Sequence, residues 1–128
     1  MAIIKAIRAR EILDSRGIPT IETSIWSDGT GATATVPSGA SVGEKEALEL
    51  RDNDPTRFQG KGVLKAVQLV NQKISKYIIG QDPTKQNIID QMLLNLDGTK
   101  NKGRLGANTI LSVSQAVFEL GARVSDMH

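Results

Sequence analysis

The sequence of 128 residues contains no cysteine and a single histidine, His128, at its last position. Disulfides, thiol nucleophiles and Cys/His metal sets are thereby excluded. Aromatic residues make up 3%, with one Trp, one Tyr and two Phe, too few for a platform on which nucleobases stack. Neither sign of charge dominates: 16 basic and 14 acidic side chains give a net +2, spread through the chain without the concentrated field of a nucleic-acid or membrane-surface partner. No apolar run approaches the ~20 residues that span a bilayer, and neither a cleavable leader nor an N-x-[ST] acceptor is present. These absences lead to the expectation of a cytoplasmic protein with no nucleic-acid partner and no membrane span.

What is present is the composition of one globular domain, 39% hydrophobic. In Ala32-Thr33-Ala34-Thr35-Val36 the alanines and Val36 share one face and the threonines the other, the period of a half-buried strand. Ile21, Thr23 and Ile25 alternate in the same way with Glu22, Ser24 and Trp26, and Asp28-Gly29 offers the positive backbone angles of a tight hairpin. Ile3 to Leu13 is a third strand with weaker alternation, joined to the second through the turn formers Asp14-Ser15-Arg16-Gly17-Ile18-Pro19.

Beyond Pro55 the period lengthens. Val63, Ala66, Val67, Val70 and Ile74 fall at helical spacing, and Asp82-Pro83 reads as an N-cap and first-turn proline for a helix whose stripe is Ile88, Ile89, Met92, Leu93 and Leu96. A last helix begins near Ala107, with Ile110, Leu111, Val113, Val117, Phe118 and Leu120 apolar enough to be largely buried. The expected fold is α+β, a three-stranded antiparallel meander followed by a helical subdomain. The ending Arg123 to His128 carries no glycine stop signal, which leads to the expectation of a chain cut from a longer one.

Few residues carry chemistry of their own. Gly39-Ala40-Ser41-Val42-Gly43-Glu44-Lys45-Glu46 is not a phosphate loop, because Glu44 and Glu46 stand where that motif needs a glycine next to its lysine and then a hydroxyl. Glu44, Glu46, Glu49, Asp52 and Asp54 interleave with Lys45 and Arg51, the pattern of a solvated, charge-balanced segment rather than a metal cluster. Lys61, Lys65, Lys73 and Lys76 fall mostly on the polar side of their helix. Trp26 and Phe118 read as single core aromatics. Ser41 lies between Gly39 and Gly43, where small side chains let its hydroxyl and carbonyl approach a hard cation; a plain surface turn is the competing reading.

Val36-Pro37-Ser38-Gly39-Ala40-Ser41-Val42-Gly43-Glu44, taken with Asp14-Ser15-Arg16-Gly17, Glu46 to Asp52 and Gly60-Lys61-Gly62-Val63-Leu64-Lys65-Ala66-Val67, closely resembles the amino-terminal domain of enolase over nearly the whole chain. The resemblance implies the glycolytic lyase phosphopyruvate hydratase, which interconverts 2-phosphoglycerate with phosphoenolpyruvate and water using two Mg²⁺ ions. Ser38, Gly39, Ala40 and Ser41 match the lid that closes over substrate, and Ser41 matches the ligand of the second magnesium. Across that superfamily magnesium stabilises the charged intermediate that a Lys or His base creates. The base, the acid and the ligands of the first magnesium belong in that family to a C-terminal β/α barrel, which needs roughly 250 residues and is absent. The chain is therefore expected to be inactive alone, residues 1–128 forming one lid and dimerisation domain.

Arg10 and Glu22 match positions that form ion pairs with the neighbouring subunit in the family's homodimer. Four positions depart from the family pattern: Ile18 in place of Asn, Val42 in place of Thr, and Ser112 and Gln115 in place of Gly and Leu, the last two where the final helix is expected to pack on the barrel. A free-standing binding or regulatory domain without catalysis is the alternative reading.

Overall fold

The computed structural model describes residues 2–36 and 48–126. Three strands, β1 (Ala6–Leu13), β2 (Pro19–Ser27) and β3 (Thr30–Thr35), form an antiparallel sheet in the order β1-β2-β3. The β1–β2 turn is built by Asp14, whose side chain accepts from the N–H groups of Arg16 (2.8 Å) and Ile18 (2.9 Å), so Ile18 closes the turn through its backbone alone. At the β2–β3 hairpin Ser27 faces Thr30, and of the connecting Asp28-Gly29 it is Gly29 that takes the left-handed angle, φ +71°.

The register fixes the two faces. Ile7 lies beside Ile25, Ala9 beside Thr23 and Thr23 beside Ala34, and these residues with Ile21 and Ala32 are buried under the helices. The opposite face carries Arg8, Arg10, Glu22, Ser24, Trp26, Thr33 and Thr35, and among the described residues no helix lies over it. Trp26 is accordingly 41% exposed, which corrects its assignment to the core: an even-numbered position on β2 belongs to the uncovered face.

The helical part begins with α1 (Leu64–Leu69), continues without a break through a π turn at Val70–Ile74 and ends in α2 (Ser75–Ile78). Then come α3 (Gln86–Asp97) and α4 (Ala107–Ser125). The expected N-cap at Asp82 is displaced: Asp82 accepts from the N–H (2.9 Å) and hydroxyl (2.6 Å) of Thr84, making a separate turn, and α3 starts at Gln86. Along α3 only Ile89 and Leu93 of the expected stripe are fully buried, with Ile88 exposed. α4 packs Ile110, Val113, Ala116, Val117, Leu120 and Val124 against the sheet. Phe118 lies one position off that stripe and is 63% exposed, a second correction to the expected core. Ser112 is fully buried inside this chain, its Oγ 2.8 Å from Thr23 Oγ1 on β2, so it seats α4 on its own sheet rather than on a following barrel.

Candidate functional site

The segment that carries the sequence signal, Ser38, Gly39, Ala40 and Ser41, lies outside the described residues, as do Val42, Glu44 and Glu46. What the structure shows is the frame from which that segment departs and to which it returns. On the near side, Val36 is 2% exposed; its N–H donates to the Ile21 carbonyl at 3.3 Å and its carbonyl accepts from the Thr20 hydroxyl. The hydroxyl of a buried threonine thus fixes the end of β3.

On the far side, residues 48–52 run along the start of α4. Leu48 donates to the Asn101 carbonyl (2.9 Å) and accepts from the Ala107 N–H (2.6 Å). Asn108 meets the Leu50 backbone at two points, accepting from its N–H (2.8 Å) and donating to its carbonyl (3.2 Å). The approach is close enough that a Cβ on Gly106, held at φ +94°, would fall 2.4 Å from Leu50 Cβ, so only glycine fits there. The loop below this contact is organised by Asp97, which accepts from the Thr99 N–H (2.9 Å), the Thr99 hydroxyl and the Leu105 N–H (2.6 Å). Burial pushes the Asp97 carboxyl up, and those bonds together outweigh it and hold the group below the usual aspartate range.

Farther along, Arg51 donates to the carbonyls of Pro19 (2.6 Å) and Lys61 (3.0 Å) and pairs with Glu49 (3.0 Å). Asp52 accepts from the N–H groups of Leu64 (2.8 Å) and Lys65 (2.9 Å), capping α1 from twelve residues upstream. Glu11, on the inner face of β1, accepts from the Val63 N–H (2.8 Å) and from both terminal nitrogens of Arg57. The Arg57 bond is the leading cause that holds the Glu11 carboxyl below the usual glutamate range. Between these anchors Phe58 and Gln59 occupy left-handed backbone (φ +50° and +54°), and the Arg57 guanidinium lies 4.9 Å from the centre of the Phe58 ring. Asp52 is therefore corrected from a solvated charge to a cap.

Sequence reasoning passed over Glu11, Arg57 and Asn108, whereas the turn it places at Asp97-Gly98-Thr99 is present. Asn108, directly after Gly106-Ala107 at a helix start, was the most accessible of these signals. Arg10 and Glu22, register partners on the uncovered face, pair with each other through Arg10 Nε and Glu22 Oε1 at 2.6 Å.

Residues 4–128 match the family model described as enolase, N-terminal domain. The chain belongs to that family. The enolase-family assignment agrees with the α+β order of a three-stranded meander followed by helices. Enolases are generally magnesium-dependent. Among the described residues no three His, Cys, Asp or Glu side chains converge as a metal site. Among the same residues no helix is long and apolar enough to cross a membrane.

Proposed function

We propose that this chain is the lid-bearing and subunit-contacting domain of a cytoplasmic, magnesium-dependent phosphopyruvate hydratase that interconverts 2-phosphoglycerate with phosphoenolpyruvate and water. Ser38, Gly39 and Ala40 close over the substrate and exclude water, and Ser41 offers an oxygen to the second of two Mg²⁺ ions. Magnesium, when bound, stabilises the negative charge that develops as the proton beside the carboxylate is removed. Proton removal and loss of the hydroxyl fall to residues of a C-terminal β/α barrel, for which 128 residues leave no room. Arg10 and Glu22 exchange their mutual pairing for partners on the neighbouring subunit of a homodimer.

The observation that carries this reading is the family match over residues 4–128, which includes the whole Ser38–Ser41 segment. The frame supports it: a gating loop needs fixed ends, and the backbone groups of Val36, Leu48 and Leu50 are bonded to neighbouring backbone or to the side chains of Thr20 and Asn108. In the complete enzyme, Ser41→Ala is expected to lower kcat by at least about tenfold and to raise the magnesium concentration required for half-maximal rate. Unchanged kinetics at limiting magnesium would remove Ser41 from the metal site.

A further inference from the structure

β3 is an edge strand, and its sequence, Thr-Gly-Ala-Thr-Ala-Thr, carries none of the charges or prolines that guard such edges. The Val36 N–H bonds inward to Ile21, so antiparallel alternation turns the backbone groups of Gly31, Thr33 and Thr35 outward. The Gly31 carbonyl accepts from Arg123 at 2.8 Å. Those of Thr33 and Thr35 have no partner among the described residues.

Beside that free stretch lies a groove of about 600 Å³, bounded by β3, α3 and α4. Among the described residues Asp90 and Glu119 line it and no lysine or arginine does, so within a chain of net charge +2 this described lining is locally negative. Asp90 is fixed through one oxygen, which accepts from Gln86 (2.9 Å) and Ser114 (2.7 Å). Phe118, 63% exposed, presents its ring on the rim. An unpaired strand edge supplies direction and spacing, and a carboxylate-lined hollow with an aromatic rim selects a cation. We propose that this edge is a docking site for an extended polypeptide segment bearing lysine or arginine, which adds as a fourth strand at Thr33–Thr35 and places its cation between Asp90, Glu119 and Phe118. Phosphate-rich partners are disfavoured by the same two carboxylates.

The test titrates the full 128-residue chain with three capped synthetic peptides: Lys-Val-Lys-Val-Lys, its Glu-Val-Glu-Val-Glu counterpart, and the lysine peptide N-methylated at alternate residues. The expected result is saturable binding of the first alone. Thr33→Pro, which deletes an outward N–H, should weaken it by at least about tenfold, and Glu119→Lys by roughly threefold to tenfold. Absence of binding at about millimolar peptide, or equal binding of the methylated or glutamate peptide, overturns the proposal. So does a chain that self-associates in sedimentation and loses that association with Thr33→Pro, because the edge then belongs to a second copy. If Thr33→Pro fails to fold, Glu119→Lys and the methylated peptide decide the question on folded protein.

Discussion

The two edges of the sheet are treated in opposite ways. On β1 the outward N–H and carbonyl of Ala9 are both bonded by the Asn71 amide, at 2.7 and 3.1 Å, so one side chain stands in for a neighbouring strand. Charged residues, Arg8, Arg10 and Glu11, flank that point. On β3 the corresponding groups of Thr33 and Thr35 are left unbonded among the described residues, and no side chain of that strand is charged. The closed edge is the one against which the α1–α2 run packs. The contrast teaches that edge protection here is spent on anchoring helices and withheld from the side facing solvent.

The strongest way to break the contrast is at the closed edge. Glu11→Ala leaves the Val63 N–H and Arg57 without their acceptor and is expected to destabilise the chain by about 3 kcal/mol in urea unfolding. Asn71→Ala strips both bonds from Ala9 and should cost about 2 kcal/mol by the same measurement, with faster amide exchange confined to β1. Acid probes the same edge. Because the folded-state pKa of Glu11 lies below its ordinary value of 4.5, its stabilisation is fully present above that pH and is lost as pH falls through the lower, folded value. The urea midpoint should therefore drop between about pH 4.5 and the acid limit, with a shallower drop in Glu11→Gln. The smallest effect belongs to the open edge: Thr33→Pro removes an N–H that bonds nothing among the described residues and should cost less than about 1 kcal/mol. A loss comparable to that of Asn71→Ala would show that β3 is closed as well.

Much of this architecture is legible in the sequence. The period-2 alternation at Ala32–Val36 and Ile21–Ile25 locates two strands and their buried faces, because side-chain alternation depends only on local geometry. The helical spacing from Ala107 locates α4 to its first residue. Trp26 and Phe118 are misplaced by the same reasoning because hydrophobicity says nothing of whether a partner element covers a given face. Asp52 and Glu11 escape notice as caps because they act across twelve and 52 residues, and no local pattern announces an acceptor contributed from so far away. The Ser38–Ser41 segment is the reverse case, conspicuous in sequence and outside the described structure.

The π turn at Val70–Ile74 has a consequence for anyone who edits the chain. One extra residue is wound into that helix, and Val70 and Ile74, at its two ends, both remain buried. Deleting one residue within that turn would restore an unbroken α-helix with its two flanks near their present phase, because the wide turn already absorbs the extra residue, whereas the same deletion in α1 would turn everything after the cut by roughly 100° about the axis. With the deletion in α1, Ile78 would swing out of the core, and Ile4, tied to Gly80 and Gln81 just beyond, would lose its tether. The π turn is thus the slack in this helix, the stretch that can give up a residue while the contacts on either side stay in tune.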